Sequence, residues 1–275
     1  MNNLLISFSG GRTSALMTKL ILSLPTYQDF NIVTVFANTG KEKEETLLFV
    51  EKCNKEFNLN LFWLEAKVNP IKGKGTSYII TDFEKASRKG EPFEAVIKKY
   101  GLPSKLVRHC TRELKQTTIN KFAKDYFKGE PYKTAIGIRA DESHRIKQDS
   151  NFIYPLFDFG ITEKQVRQFW ELQSFDLELK DYEGNCDLCF LKSKRKRMTI
   201  LKENPLLSEW WYKMENKYQN GYQTKFDALN DLSILELKEL SKTKFRKVLD
   251  KHDSANPQLF ELDFDIEFDC FCKNT

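Results

Sequence analysis

A short apolar run, followed at once by a glycine turn and a helical pattern, opens this chain. Residues 4 to 8 read LLISF, the turn contains Ser9, Gly10 and Gly11, and apolar residues at helical spacing continue towards Pro25. A strand that leads into a helix through so tight a turn is typical of a β–α–β unit. The opening of the sequence therefore favours an α/β domain.

Strand-like and helix-like segments go on alternating through the first two-thirds of the chain. Further strands are predicted at residues 32–37, 60–64 and 134–138. Helices are predicted at 84–99 and 111–127, in a long insertion before the last of these strands. Strands separated by helices indicate a parallel, Rossmann-like sheet.

The character of the chain changes after about residue 175. A cysteine pair and a basic block are followed by mostly helical patterns. We therefore predict two units, an α/β domain over residues 1–175 and a smaller, mostly helical, cysteine-containing region over residues 176–275.

Composition narrows the class of protein. The 275 residues are 40% hydrophobic and 30% charged, which excludes a disordered or collagen-like chain. No apolar run approaches the roughly 20 residues that span a bilayer, and the N-terminus lacks the basic flank of a secretory signal. We therefore expect a cytoplasmic protein with no membrane partner. The net charge of +5 favours an anionic partner but is too small to establish nucleic-acid binding.

The glycine turn has the chemistry of a phosphate-binding loop. Two glycines allow the backbone to turn tightly and present its N–H groups, and the following helix start adds a positive dipole end. The alternative is a strand-to-helix turn that simply needs glycine. The phosphate interpretation makes seven residues candidates for nucleotide binding: Ser7, Ser9, Gly10, Gly11, Arg12, Thr13 and Ser14.

These residues carry a resemblance to a known superfamily. SGGRTS at residues 9–14 resembles the pyrophosphate loop (PP-loop) of the adenine-nucleotide α-hydrolases, usually SGGxDS, with Thr13 in place of the acid. Three more segments are similar to those of the phosphoadenosine-phosphosulfate (PAPS) reductase family. They are NTGKEKEET at 38–46, where the family has DTGxExxET; GIRADESHR at 137–145, where it has GxRxxxSxxR; and YPLFDF at 154–159, where it has PLxDW.

The resemblance spans residues 7 to 159 and implies a PP-loop fold that binds an adenine nucleotide, either ATP or an adenylyl phosphosulfate (APS or PAPS), with Mg²⁺. It adds six residues to the nucleotide site: Asn38, Thr39, Gly40, Gly137, Arg139 and Arg145. Arg139 follows a predicted strand, at the edge where open α/β sheets bind ligands, and a guanidinium there can hold a phosphate at two points. The alternative role for Arg139 is a surface ion pair with Asp141 or Glu142.

Three cysteines resemble the iron–sulfur pattern of APS reductases, CCxxxK followed at a distance by CxxC. Cys110 has Thr111 where the family has a second cysteine, Lys115 keeps the lysine, and Cys186 and Cys189 form the CxxC. The resemblance implies that Cys110, Cys186 and Cys189 ligate a 4Fe–4S cluster. Zinc and reduced buried thiols remain the alternatives.

The end of the chain alternates acidic and apolar residues from 261 to 272, which predicts a half-buried strand. Cys270 and Cys272 fall on its apolar face. Either cysteine could be the fourth metal ligand, and either could be the nucleophile; we assign Cys270 as the candidate ligand and Cys272 as the candidate nucleophile.

Three functions are compatible with these features. In a PAPS reductase-like enzyme, Cys272 attacks the sulfate sulfur, Lys115 and Arg139 assist, and a thiol reductant releases sulfite; the family's ECGxH motif is absent here. In an ATP-dependent sulfurtransferase, an oxygen on RNA, DNA or a small molecule is adenylated, and a sulfur species held at the iron–sulfur cluster, or another nucleophile, then displaces AMP. In a non-enzymatic, metal-stabilised nucleic-acid-binding protein, the basic block at residues 192–197 binds the backbone.

Overall fold

A six-stranded sheet forms the centre of the molecule in the computed structural model, which describes residues 2–71, 73–219 and 223–250. The strand order is β4–β3–β2–β1–β5–β6. Their bounds are β1 Asn2–Ser7, β2 Phe30–Asn38, β3 Leu61–Val68, β4 Thr76–Thr81, β5 Tyr132–Ala135 and β6 Phe152–Ile153. The predicted α/β class is confirmed.

Five strands run parallel, and β4 at one edge runs antiparallel to β3. The sequence did not predict β4. Only residues 69–75 join β3 to β4, and so short a connection cannot hold the crossover that a parallel neighbour needs. The sheet is therefore mixed.

Helices follow the strands and provide the regular secondary structure of the C-terminal region as far as it is described. Their bounds are α1 Arg12–Ser23, α2 Glu44–Glu56, α3 Glu91–Tyr100, α4 Thr118–Tyr126, α5 Pro155–Asp158, α6 Glu163–Glu171, α7 Lys194–Glu203, α8 Ser208–Lys217 and α9 Ile234–Lys242. A π-helical segment, Cys110–Thr117, leads into α4, and short 3₁₀ turns lie at Pro25–Tyr27, Ala140–Arg145 and Pro205–Leu207.

Two predicted elements differ from those observed. The helix predicted at 84–99 begins only at Glu91, because Gly90 adopts a left-handed φ of 85° and Pro92 sits in the first turn, where its ring is tolerated. The strand predicted at 134–138 ends at Ala135. The N–H of Ile136 still bonds to the carbonyl of Ile153 in β6 at 3.1 Å, and residues 137–139 then belong to a loop at the edge of the sheet.

Apolar side chains form one cluster on each face of the sheet and a third under the helical region. The third cluster joins Trp211, Phe226 and Leu237 of the C-terminal region to Phe93 and Leu114 from before residue 175. Helical residues of both predicted units thus share one core. The division at residue 175 stays a prediction.

Within the described ranges, no helix combines the length and apolar character required to cross a bilayer.

Candidate functional site

The glycine turn lies where β1 ends and α1 begins, at the carboxyl edge of the sheet. Strands β2 and β5 flank β1 on its two sides, so the loops after all three strands meet at this edge. From β1, the chain adds β2, β3 and β4 on one side of β1. It then crosses to the other side of β1 and adds β5 and β6 there. Such a reversal point is where open α/β sheets form their ligand crevice.

The start of α1 is open to a ligand. Gly11 occupies the N-cap position without a side-chain cap, and the first turn contains no acidic residue. The N–H of Ala15 bonds to the carbonyl of Gly11 at 3.0 Å, which begins the helical pattern. The N–H groups of the residues before Ala15 are those that a helix start leaves without intrahelical partners. They and the helix dipole together favour an anion.

Gly10 is required by its conformation and by its neighbours. Its φ is +83°, a region that residues with a Cβ rarely adopt. A Cβ there would also lie 2.9 Å from Cγ2 of Thr46 and 3.0 Å from the ring of Phe36. The loop can therefore lie this close to α2 only with glycine at this position.

Hydroxyl groups hold the loop from inside. The N–H and the Oγ of Ser9 both donate to Oγ of Ser14, at 3.2 and 2.9 Å, and Ser14 in turn donates to the carbonyl of Gly11 at 2.9 Å. The Ser7 hydroxyl is buried, with no hydrogen-bond partner among the described residues. Ser9 and Ser14 therefore stabilise the turn, while Thr13 lies in the first turn of α1.

The side chain of Arg12 points away from the loop. Its guanidinium makes two hydrogen bonds to the carboxylate of Asp176, at 2.7 and 2.9 Å, and a third to the carbonyl of Leu177 at 2.6 Å. The side chain of Arg12 thus ties the segment after α6 to the loop, and its predicted role in nucleotide binding is left to its backbone N–H.

Gly137 forms the opposite wall of the crevice. A Cβ at this position would lie 3.3 Å from Cα and 3.4 Å from the backbone nitrogen of Ser14. The loop after β5 therefore packs directly against the first turn of α1. Two motifs separated by more than 120 residues in the sequence meet here.

Arg139 follows Gly137 and is paired with carboxylates. Its Nη2 lies 3.0 Å from Asp141, 3.5 Å from Glu142 and 3.9 Å from Glu163. Arg145 donates to Glu142 as well. The ion pair that the sequence offered as the alternative role of Arg139 is present, so binding of an anion by Arg139 requires it to exchange or share these partners.

The loop after β2 is organised by buried carboxylates. Asn38 donates to Glu65 at 2.6 Å and accepts from the N–H of Gly40 at 3.1 Å. The N–H and the hydroxyl of Thr39 donate to one oxygen of Glu42, at 2.8 and 2.7 Å. The other Glu42 oxygen is buried without a hydrogen-bond partner among the described residues. Asn38, Thr39 and Gly40 therefore have structural hydrogen bonds of their own in this state.

The cysteine segment, residues 183–189 with the CxxC pair, is hydrogen-bonded to the loops after β1 and β2. Lys43 donates its N–H to the carbonyl of Asn185 at 2.7 Å, and Asp187 donates its N–H to the carbonyl of Lys41 at 2.9 Å. The side chain of Asn185 also donates to the carbonyl of Ser9 at 2.6 Å. Asn185 and Ser9 are 176 residues apart, and no local signal in the sequence could show that Asn185 reaches the glycine loop.

Charged and aromatic side chains reinforce this connection. The ammonium of Lys41 lies 2.6 Å from a carboxylate oxygen of Asp187 and 4.9 Å from the ring centre of Trp210. The indole N–H of Trp211 donates to Asp187 at 2.8 Å. Asp187 therefore links the cysteine segment both to the loop after β2 and to the helical core.

Cys186 and Cys189 form a hydrogen-bonded thiol pair, and the pKa of the Cys186 thiol is raised. The hydrogen bond with Cys189 lowers this pKa, but burial raises it. Carboxylates of Asp187 and Glu42 raise it too, whereas the ammonium of Lys115 lowers it. Cys186 therefore favours the thiol form, and Lys115 lies close enough to act on it electrostatically.

Cys110, Cys186 and Cys189 all pack against the third apolar cluster, where their thiols are half-buried. Cys53 is different, because it is fully buried in α2 and its thiol pKa is raised mainly by burial. The described part of the chain contains no group of three His, Cys, Asp or Glu side chains arranged to hold a metal ion. The described thiols alone thus do not fit a cluster or a zinc site. Cys270 and Cys272 lie outside the described residues.

The basic block is less exposed than its sequence suggests. Arg197 is 1% exposed and forms an ion pair with Asp227 in the core of the helical region. Of the remaining cations in residues 192–197, only Lys194 is exposed and the others are half-buried. The block therefore offers a smaller surface to a nucleic acid than five cations would.

Comparison with known proteins identifies relatives for this arrangement. Residues 3–74, which contain β1, the glycine loop, α1 and the loop after β2, match the phosphoadenosine phosphosulfate reductase domain. An uncharacterized nin region protein of Escherichia phage lambda is 34% identical over 195 residues, covering 70% of this chain and 67% of the phage protein.

Two uncharacterized proteins of the archaeon Methanocaldococcus jannaschii are also similar. One is 25% identical over 78% of this chain, and the other is 28% identical over 44% of it. The matched regions cover 42% and 22% of these archaeal proteins, so each of them is much longer than the part it shares with this chain.

Proposed function

This chain belongs to the phosphoadenosine phosphosulfate reductase family of PP-loop proteins, and from that premise we propose that it is an enzyme that binds an adenine nucleotide, ATP or APS/PAPS, and carries out sulfur-linked adenylyl chemistry. The nucleotide would lie in the crevice between the loops after β1 and β5. Its phosphate or sulfate oxygens would contact the glycine turn and the start of α1.

One observation carries this proposal: α1 begins without a side-chain cap directly beneath the Gly10–Gly11 turn, with Gly137 packed against its first turn. Without a cap, the N–H groups at the start of α1 remain available for oxyanions. The narrow approach of Gly137 leaves no side chain between the two loops. Both features suit a ligand whose charged chain must come close to the backbone.

The chemistry would rest on positioning and on charge neutralisation. Fixed N–H donors at the glycine turn stabilise negative charge that develops on phosphate oxygens, and they need no reorganisation when the reaction occurs. The guanidinium of Arg139, released from Asp141, would hold the same chain from the side of β5. Mg²⁺, when bound with the nucleotide, would supply further neutralisation of the phosphates, and no step proposed here depends on a metal cluster.

Replacement of Gly11 by aspartate tests the proposal without removing the fold. Gly11 has a φ of −106°, and a Cβ there would meet only Oγ of Ser9, at 3.8 Å. Aspartate is a preferred N-cap residue, so Gly11→Asp should keep or raise stability while it places a carboxylate where the phosphate would bind. Gly11→Asn is the matched control, since asparagine also caps helices but carries no charge.

The expected result is calorimetric binding of ATP, APS or PAPS by the wild-type protein, and at least a tenfold loss of affinity in Gly11→Asp beyond any loss in Gly11→Asn. Equal affinities in the two variants would contradict phosphate binding at this turn. No binding of any of the three nucleotides by the wild-type protein would refute the proposed function itself.

Product assays then separate the two substrate classes. ATP–pyrophosphate exchange, measured with and without RNA or DNA, would identify an adenylating enzyme. Sulfite release from APS or PAPS in the presence of a dithiol would identify a reductase. Absence of both reactions, in a protein that binds the nucleotides, would exclude the proposed chemistry and leave nucleotide binding alone.

A further inference from the structure

Asn185 lies one residue before the CxxC pair, yet its side chain ends at the glycine turn. Its Nδ2 donates a hydrogen bond of 2.6 Å to the carbonyl oxygen of Ser9, across a sequence separation of 176 residues. The backbone carbonyl of Asn185 accepts from the N–H of Lys43 at 2.7 Å, in the loop after β2. One residue therefore contacts two of the three loops that form the crevice.

The hydrogen bond to Ser9 fixes the orientation of one peptide group. A trans peptide is planar, so the carbonyl of Ser9 and the N–H of Gly10 point in opposite directions. When the carbonyl is held by Asn185, the Gly10 N–H must face the other way. No described residue accepts a hydrogen bond from that N–H. The orientation therefore keeps a donor available at the centre of the turn.

Without the hydrogen bond from Asn185, the Ser9–Gly10 peptide group would be freer to rotate. Gly10 has no Cβ and Ser9 precedes it in a turn, so rotation of the peptide meets little steric resistance. The other loop contacts, from Ser9 to Ser14, hold the side chain and the N–H of Ser9 but not its carbonyl. The orientation of the Ser9–Gly10 peptide thus depends on a residue of the cysteine segment.

We propose that Asn185 is a positioning residue of the nucleotide site: its carboxamide holds the Ser9 carbonyl so that the Gly10 N–H faces the phosphate chain of the bound nucleotide. This inference rests on the proposed function. Asn185 also couples the nucleotide site to the cysteine segment. If docking of the cysteine segment strengthens nucleotide binding, then nucleotide binding must stabilise the docked cysteine segment by the same free energy.

The test compares ATP with adenosine, which lacks phosphates. Asn185→Ala should lower the affinity for ATP at least tenfold and change the affinity for adenosine less than twofold. If Asn185 only stabilised the fold, Asn185→Ala would lower the affinities for ATP and adenosine alike, and this result would overturn the proposal. So would an unchanged affinity for ATP. Equal affinities of the wild-type protein for ATP and adenosine would instead refute the proposed function, because the phosphates would then add nothing to binding.

Two control variants sharpen the comparison. Asn216→Ala removes another asparagine side chain that donates to a carbonyl, that of Tyr212 in α8, and should leave both affinities unchanged. Glu183→Gln weakens the ion pair between the cysteine segment and Lys43 without touching Ser9. It should affect ATP binding less than Asn185→Ala. If Asn185→Ala does not fold, Asn185→Ser, which is also too short to reach Ser9, provides the same comparison.

Thiol alkylation supplies a readout that is independent of affinity. Saturating ATP should slow the reaction of iodoacetamide with Cys186 and Cys189 in the wild-type protein by at least threefold, measured by mass spectrometry of the peptide. In Asn185→Ala, at an ATP concentration that again saturates the site, this protection should be lost. Equal protection in both proteins would show that the cysteine segment and the glycine turn are not coupled through Asn185.

Discussion

Gly137 and Ser14 meet across the crevice, where a Cβ on Gly137 would lie 3.4 Å from the backbone nitrogen of Ser14. The contact joins the loop after β5 to the first turn of α1. Because the atoms on the Ser14 side belong to a helix backbone, they cannot move aside as a flexible side chain would. The width of the proposed phosphate site is therefore set at this contact.

Gly137→Ala should widen the crevice and destabilise the protein. The added methyl group forces the loop away from α1 by a few tenths of an ångström, and overpacking of this kind costs about 1–3 kcal/mol. We expect a lower urea midpoint and at least a fivefold weaker binding of ATP. Gly75→Ala is the control, since a Cβ there would meet nothing within 4 Å, and it should change neither quantity. Normal ATP affinity in Gly137→Ala would show that this contact does not shape the site.

Asp141 should compete with the nucleotide for Arg139. The carboxylate accepts from Nε and Nη2 of Arg139 at 3.1 and 3.0 Å, and this partly exposed pair is worth about 0.2–1 kcal/mol. Asp141→Asn should therefore strengthen ATP binding by about two- to fivefold.

Arg139→Lys should have the opposite effect and weaken ATP binding about tenfold, because an ammonium cannot hold a phosphate at two points. The control is Arg167→Lys, which alters a different paired arginine, bound to Glu163 and Asp181. Calorimetry measures all three variants. Unchanged affinity in Arg139→Lys would remove Arg139 from the site.

His109 should make the folded state less stable in mild acid. Burial and, after it, the charge of Arg112 lower the pKa of His109 below its ordinary value of 6.5. The unfolded chain therefore binds a proton before the folded protein does, and stability is lost as the pH falls below 6.5, until His109 is protonated in the folded state too.

The measurement is the urea midpoint at pH 7.5, 6.5 and 5.5. His109→Phe keeps an aromatic ring beside Tyr100, whose ring centre lies 5.4 Å away in a stacked arrangement, and removes the titration. Its midpoint should fall less between pH 7.5 and 5.5 than that of the wild-type protein. Parallel profiles would mean that other groups cause the loss.

The sequence-based metal site predicts a brown protein, rich in iron, after anaerobic purification, or a colourless one that contains stoichiometric zinc. Cys186→Ser should lose that metal, and Cys53→Ala, which removes a buried thiol of α2, should retain it. Elemental analysis measures both. Equal metal content in Cys186→Ser and the wild-type protein would remove Cys186 from the ligands, and a wild-type protein without iron or zinc would refute the site.

Local sequence patterns predicted the frame of this fold well. The first strand, the glycine turn and α1 follow one another as expected. These features depend on residues a few positions apart. Their physical causes, backbone conformation and period, are local.

The antiparallel strand β4 was harder to predict. Its sequence alternates weakly and exposes Ile79 and Ile80, so neither face of the strand shows a continuous apolar pattern. These residues form a strand because they pair with β3, whose backbone groups supply their hydrogen-bonding partners. Only the folded sheet provides those partners.

The sequence by itself determined the strand end, the glycine turn and the helix start on which the predicted phosphate site rests, because these features follow from neighbouring residues. The tertiary structure decided which side chains are free to act. In the folded protein Arg12 pairs with Asp176, and Arg139 pairs with carboxylates. Arg197 is buried in an ion pair, and Asn185 donates a hydrogen bond to Ser9. The physical reason is that ion pairs and hydrogen bonds between distant residues depend on how the loops pack, and no local period in the sequence records that packing.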